Sequence, residues 1–242
     1  MIIYHGPSRL DTTRDIVAIV TAVEGESENP KTGPMAQLYI LDAGPLDPVE
    51  LRAIDDERST CGRCPLSGPD GLCYVNLGQA PLFVWRRYRS GWYRPAQPER
   101  IARAARLCAG LRLGAYGDPM ALPQQVVADL VDQWRAAAPT DAITGYTHQW
   151  RRPDCQWGKR FAMASVETWE DAIRAGTMGW RVFHAGPIEE RPAGLVQCPN
   201  DTHGVTCADC GLCQGTARPA RSIYIDLHGS KATAERVAEL VA

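Results

Sequence analysis

Two tight groups hold seven of the nine cysteines in this sequence. They read Cys61-x2-Cys64-x8-Cys73 and Cys198-x8-Cys207-x2-Cys210-x2-Cys213. Thiolates are the ligands that bind zinc and iron–sulfur clusters in proteins. Because no secretory signal is evident, we expect a reducing compartment, in which such thiols bind metal and disulfides are rare. The sequence therefore predicts two cysteine-ligated metal sites.

The second group favours iron–sulfur over zinc. Three cysteines at x2 spacing surround one centre, and this spacing is typical of bacterial ferredoxins. The trailing Cys-Pro of those proteins is missing here, but Cys198-Pro199 could supply the fourth thiolate from upstream. A single tetrahedral zinc ion more often uses two separated C-x2-C pairs. A buried cluster of thiols without metal is the remaining alternative.

The first group leaves more alternatives open. Three cysteines suffice to hold a [4Fe-4S] cluster with one open iron, or they could bind zinc together with a His or Asp ligand. The two groups could also share one site or form two adjacent sites. Cys108 and Cys155 lie apart from both groups and are interpreted as structural or surface thiols.

Alternating strands and helices are expected to position these loops. The fold class predicted is α/β, a partial (β/α) barrel of parallel strands joined by helices. Strands are predicted at 16–23, 36–42, 111–116, 142–147, 161–166, 180–185 and 222–227, and helices at 98–109, 124–138, 168–175 and 231–242. The predicted organisation has three parts: a β-rich segment over 1–60 packed on the barrel, the partial barrel with the first cysteine loop over 61–186, and the cysteine-rich segment with a closing helix over 187–242.

Polar residues follow several of the predicted strands. Ligands of parallel α/β folds bind at the carboxyl ends of the strands. There the sequence has Gly117-Asp118, His148, Glu167 and His184. His148 and Glu167 are the candidate catalytic residues, because a histidine or carboxylate at such a position can bind an anion or move a proton.

Composition narrows the choice of partners and compartment. The formal net charge of −2 predicts no strongly polyanionic partner for the whole molecule. One local exception is an arginine-rich stretch with interleaved aromatic residues, in which Arg86, Arg87, Arg89 and Arg94 could contact nucleic acid or simply form a solvated surface. No run of 18 apolar residues is present, so we expect no membrane span and a cytoplasmic location.

Common nucleotide and hydrolase motifs are missing. Lys31-Thr32-Gly33 lacks the glycine spacing of a phosphate-binding loop, and no Gly-x-Gly-x-x-Gly, Gly-x-Ser-x-Gly or His-Glu-x-x-His occurs. Several common enzyme classes are thereby removed from consideration.

The order of these parts resembles the radical S-adenosylmethionine (radical SAM) fold. That family places a three-cysteine loop after the first barrel strand, and its second strand ends in a Gly-Gly-Glu-Pro-like turn. Here the first cysteine group follows the strand at 36–42, and the turn reads Tyr116-Gly117-Asp118-Pro119. The resemblance implies that Gly117 and Asp118 would receive the amino group of S-adenosylmethionine. The cysteine spacing departs from the family's usual x3 and x2.

A second resemblance is to an uncharacterised cysteine-rich family often encoded by bacteriophages. Four stretches are similar: Lys31-Thr32-Gly33, Thr60 to Pro65, Gly145 to Trp150 and Thr206 to Cys213. This resemblance implies kinship and, for a phage-encoded protein, the cytoplasm of the host cell. It implies no particular chemistry.

Two functions follow as expectations. The first is an iron–sulfur protein with a radical-SAM-like barrel, with S-adenosylmethionine as a further cofactor, in which case the chain could be an enzyme. The second is a non-enzymatic protein that binds nucleic acid or another partner and uses iron–sulfur or zinc to stabilise its loops. The oligomeric state, the substrate and the reaction are open on the sequence alone.

Overall fold

The structure is a computed structural model that describes residues 1–25, 27, 29–186, 194–226, 236 and 239. The helix predicted over 231–242 therefore lies outside the described residues, apart from two positions. The predicted α/β class is confirmed, since helices connect the strands of one mostly parallel sheet.

Among the described residues, the sheet has nine strands and is open. Its order is β1-β2-β3-β4-β5-β6-β7-β9-β8, so the two edge strands are β1 and β8. Pairing is antiparallel between β1, β2 and β3 and parallel from β3 onward. The strands are β1 (Ile2–Pro7), β2 (Asp15–Thr21), β3 (Met35–Asp42), β4 (Gly110–Tyr116), β5 (Ile143–Thr147), β6 (Met163–Val166), β7 (Val182–Gly186), β8 (Val196–Gln197) and β9 (Ile223–Asp226).

Eight α-helices lie among the described residues. They are α1 (Pro48–Ala53), α2 (Arg58–Cys61), α3 (Ala80–Arg89), α4 (Pro98–Leu107), α5 (Gln124–Ala137), α6 (Trp169–Thr177), α7 (Pro199–His203) and α8 (Cys207–Cys210). Short 3-10 helices occupy Pro119–Ala121, Gln149–Arg151, Pro153–Arg160 and Gly215–Ala217.

Helices α4, α5 and α6 cover one face of the parallel strands. In α5, apolar side chains recur at helical spacing and pack with α4 against Leu111 and Leu113 of β4. Further along the sheet, α6 packs against Ala164 and Val166 of β6. Successive strands β3 to β7 are neighbours, so their crossovers step in one direction. Right-handed crossovers then place the helices between strands on the same face.

The opposite face of the sheet packs against a helix near β2 and β3 and borders a cavity from β4 to β9. Near β2 and β3, Val84 of α3 packs on Val17, Ile19 and Tyr39. All of β3 is buried, because it has α3 on one side and α4 and α5 on the other. From β4 to β9 the same face borders a cavity instead.

Apart from the helix over 231–242, the predicted elements agree with the structure to within a few residues at each end. Elements missing from the prediction are short or carry weak signals, namely β1, β8, α1 to α3, α7 and α8. Strand β1 ends in Gly6-Pro7, which are turn formers, and α3 has three arginines in its last turn. Tertiary pairing and packing stabilise these segments more than their own sequence does.

Candidate metal and ligand site

Five of the grouped cysteines border one cavity of about 200 Å³. It lies on the face of the sheet opposite to α4, α5 and α6. Alternate residues of the strands border it, as do Arg112, Gly114 and Tyr116 of β4. The cysteines that line it are Cys61, Cys64 and Cys73 from the first group and Cys198 and Cys207 from the second.

Cys61 is held at the end of α2. The next residue, Gly62, has a φ of +60°, and a Cβ there would lie 2.7 Å from the Gln149 side-chain amide. That amide donates a hydrogen bond to the carbonyl oxygen of Cys61 over 3.0 Å. The turn after α2 therefore requires glycine, and it fixes the first cysteine against the segment that follows β5.

A buried ion pair between Arg52 and Glu57 supports the first cysteine loop. Glu57 accepts two hydrogen bonds from Arg52, at 2.9 and 3.0 Å, and one from Tyr116 Oη at 3.0 Å. The amide of Gly68, inside the loop, also donates to Glu57 over 3.1 Å. One carboxylate thus connects α1, the middle of the cysteine loop and β4.

Burial raises the pKa of two thiols in this loop. Desolvation raises the pKa of Cys61 well above its usual value, and the negative charge of Glu57 raises it further. Desolvation also raises the pKa of Cys73, although Arg52 opposes the shift. Such buried thiols stay neutral unless a cation stabilises the thiolate, and a bound metal ion supplies that charge.

His148 meets the first cysteine group at the carboxyl end of β5. Its Nε2 lies 4.0 Å from Cys64 Sγ and 2.8 Å from Glu167 Oε1. Desolvation by itself would lower the pKa of His148, but Cys64 and Glu167 raise it well above its ordinary value. The two candidate catalytic residues are thus in direct contact, and the imidazole can hold or release a proton beside a cysteine.

Gly117 and Asp118 form the turn after β4 and also line the cavity. Gly117 has a φ of +81°, and a Cβ there would lie 2.6 Å from the carbonyl oxygen of Ile40. The Asp118 carboxylate accepts hydrogen bonds from Met120 N at 2.9 Å, Thr147 Oγ1 at 2.9 Å and His148 N at 3.0 Å. Asp118 therefore joins the ends of β4 and β5 and positions the backbone of His148.

The second cysteine group is docked on the sheet by backbone hydrogen bonds. Cys207 N donates to Lys31 O over 2.9 Å, and Cys198 N donates to Tyr224 O over 2.9 Å. Gly145 N of β5 donates to Cys213 O over 3.2 Å. These contacts bring the loop from the far end of the sequence onto the polar loop after β2.

All four cysteines of this group line a second, smaller cavity of about 20 Å³. Cys198 and Cys207 border both cavities, so the second group lies directly beside the larger one. Burial raises the pKa of the Cys213 thiol to about 12, and the Tyr146 hydroxyl forms a hydrogen bond with it that opposes the shift. The four cysteines that line this space carry thiols, the donor type that ligates zinc and iron–sulfur clusters.

The sulfurs do not converge on a single point. Within the described ranges, no group of three or more Cys, His, Asp or Glu side chains is arranged to hold one metal ion. The other two cysteines lie elsewhere. Cys108 is part of the core beneath α4, and Cys155 is fully buried in the 3-10 helix Pro153–Arg160.

The arginine-rich stretch forms an aromatic surface on α3 and the turn after it. The Arg87 guanidinium lies 4.2 Å from the Phe83 ring centroid and 4.8 Å from that of Trp92. Both rings are more than half exposed. Arg86, Arg89 and Arg94 are exposed as well. None of these residues lines either of the two cavities that the cysteines border.

Four residues of the site were missed by the sequence reasoning: Arg52, Glu57, Arg112 and Tyr146. Their partners lie far away in sequence, so no local motif marks them. One signal was available for Arg112, because a charged residue between Leu111 and Leu113 in a buried strand must have a polar environment.

No protein-family model, curated protein or solved structure matches this chain. Within the described residues, no helix has the length and apolarity needed to cross a membrane.

Proposed function

We propose that this chain is an iron–sulfur protein in which the two cysteine groups bind separate clusters at opposite ends of one ligand cavity. One observation carries the proposal: cysteines from loops more than 120 residues apart in sequence border the same cavity. The first group would hold a [4Fe-4S] cluster through Cys61, Cys64 and Cys73. The second would hold a cluster through Cys198, Cys207, Cys210 and Cys213.

Ligation of a metal centre by these thiols depends on rotation of the cysteine side chains. Rotation about the Cα–Cβ bond re-aims a cysteine sulfur without moving the backbone. The four cysteines of the second group line one small cavity, and in this proposal such rotations bring their sulfurs together. Zinc is the alternative metal for the same thiols.

We propose in addition that the sheet is a partial barrel of the radical SAM kind. Sequential parallel strands with helices on one face and a ligand cavity on the other are the features of a partly rolled (β/α) barrel. In this proposal Gly117 and Asp118 bind the amino group of S-adenosylmethionine. An ionised carboxylate accepts about four hydrogen bonds, and Asp118 uses three, which leaves one acceptor position for a ligand ammonium group.

The residues around the cavity would have distinct tasks. When bound, a three-cysteine cluster supplies electrons and one open coordination site. Glu57 and Arg52 hold the loop that carries the ligands, and Asp118 orients His148. His148 and Glu167 hold a proton at the imidazole Nε2, within reach of a ligand in the cavity.

Elemental analysis with visible and electron paramagnetic resonance spectra after anaerobic purification tests the proposal. We expect a brown protein with iron and sulfide. Cys64→Ser and Cys207→Ser should each lose about half of the iron, whereas Cys155→Ser, which removes a buried thiol outside both groups, should keep it. A colourless protein with stoichiometric zinc after reconstitution with iron and sulfide would reject iron–sulfur chemistry. A protein that binds neither metal would reject both sites.

A second function is favoured by the surface on α3. Arginines stacked on exposed aromatic rings can contact phosphates and stack on bases. We infer that, if the metal sites are structural, this surface binds nucleic acid through Arg86, Arg87, Arg89 and Arg94. Replacing Arg86 and Arg89 by Gln should weaken binding to single-stranded DNA and RNA, and affinity should fall steeply with salt. Undetectable or salt-independent binding would argue against this function.

A further inference from the structure

Arg112 projects from the middle of β4 into the larger cavity. Its neighbours Leu111 and Leu113 point to the opposite face and pack in the core with α4 and α5. Because side chains alternate along a strand, Arg112 faces the cavity together with Gly114 and Tyr116. A central strand position holds the guanidinium on a rigid part of the fold.

The buried guanidinium of Arg112 is incompletely hydrogen-bonded. Its Nη2 donates to the Tyr74 hydroxyl, whereas its buried Nε has no hydrogen-bond partner. Burial disfavours its charge, and the groups that favour it include Tyr74, Tyr146 and the Cys207 thiol, which carry no charge in their protonated forms. A buried cation is costly unless an anion pairs with it.

The rest of the cavity near Arg112 is largely apolar. Tyr146 and Phe183 pack with ring centroids 4.4 Å apart, and Phe183, Ala185 and Ile225 all border the space. A volume of about 200 Å³ suits a molecule smaller than most drug-like ligands. The site thus combines the Arg112 guanidinium with apolar walls, and Lys31, Asp118, His148 and Asp226 border the same cavity.

We propose that Arg112 binds the oxyanion head of a small organic anion, a carboxylate or a phosphate ester, whose apolar body lies against Phe183 and Ala185. A guanidinium presents pairs of N–H donors that match the two oxygens of such a group. The inference deepens the proposed function, because it assigns a substrate class to the cavity between the two cysteine groups. The anion site itself depends on Arg112 and not on metal.

Isothermal titration of the full-length protein with inorganic phosphate, acetate and benzoate at constant ionic strength tests the inference. We expect saturable binding of at least one anion and, if the head is a carboxylate, tighter binding of benzoate than of acetate. Arg112→Met should weaken it at least tenfold, the loss typical of a hydrogen bond to a charged group. Arg106→Gln, which alters an exposed arginine in the last turn of α4, should bind as the wild type does.

Thermal melts distinguish a loss of anion binding from a structural defect in the Arg112→Met variant. An unpaired buried cation destabilises the fold, so Arg112→Met without anion should melt at or above the wild-type temperature, and phosphate or benzoate should raise the wild-type temperature alone. A lower melting temperature with no anion effect in either protein would overturn the inference. So would a variant that loses metal while the wild type binds no anion, because Arg112 would then balance the thiolates near Cys207.

Metal content measured on the same samples separates the two proposals. Anion binding by a protein that takes up no metal would reject the proposed function and support the anion site. A brown, metal-loaded protein that binds none of the three anions would reject the anion site and support the proposed function.

Discussion

At the scale of single residues, the site depends on buried polar side chains with several partners each. Glu57 illustrates this best, since its carboxylate contacts Arg52, Tyr116 and the amide of Gly68. Removing one partner of such a network leaves the others buried and unsatisfied. The stability of the first cysteine loop should therefore be sensitive to this carboxylate.

Replacing Glu57 by Gln tests that dependence. We expect the free energy of unfolding to fall by about 3 kcal/mol, because Arg52 would remain buried without a counter-charge. Urea denaturation followed by circular dichroism measures the change. Asp132→Asn, at an exposed position of α5, serves as the matched control and should change stability by less than about 0.5 kcal/mol. Equal effects of the two substitutions would contradict the supporting role of Glu57.

At the scale of secondary-structure elements, the turn after β4 determines where the site lies. Gly117 allows a left-handed backbone directly against Ile40 of β3, and Asp118 then joins this turn to the end of β5. Strand and turn together place His148 within reach of Cys64. A small backbone requirement in one turn thus controls the relation between the cysteine loop and the parallel strands.

Gly117→Ala should destabilise the protein by about 2 kcal/mol, because the new Cβ would both disfavour the positive φ and contact the Ile40 carbonyl. Gly176→Ala in helix α6 is the control. A Cβ there meets nothing within 4 Å, and alanine is the better helix former, so stability should rise by up to about 1 kcal/mol. Thermal melts of both variants measure the difference, and a neutral Gly117→Ala would show that the turn relaxes.

At the scale of the whole molecule, the second cysteine group joins distant parts of the chain. Its loop contacts the segment after β2 through Lys31 and Thr32, and it contacts β5 through Gly145. The loop over 198–213 has short helices and little apolar core of its own. A metal centre would supply the stability that the loop lacks.

Hydrogen exchange before and after chelation tests this coupling. Loss of metal should increase exchange at the amides of Cys207, Ala208 and Gly145, while the amides of the buried strand β3 should stay protected. Mass spectrometry of peptides from the two regions provides the measurement. Unchanged protection around Cys207 would mean that the loop is stable without metal. General loss of protection, including β3, would mean that metal stabilises the entire fold.

Much of the fold could be predicted from the sequence, because each long element carries its own periodic signal. Helix α5 has apolar residues at helical spacing, and β3 is a continuous run of residues that tertiary packing buries on both faces. The α/β class follows from the alternation of such elements. The grouping of the cysteines was also visible, because their spacing is local.

Long-range contacts determined which residues of the site lie close together. The proximity of Cys64, His148 and Glu167 depends on the order of the parallel strands, and that order has no local signal in the sequence. The same holds for Glu57 beneath the first loop and for Arg112 between Tyr74 and Tyr146. Local spacing determined which residues could bind metal. Only the packing of strands and crossovers determined which of them share one cavity, because chain segments more than 120 residues apart meet through burial and sheet pairing and not through sequence proximity.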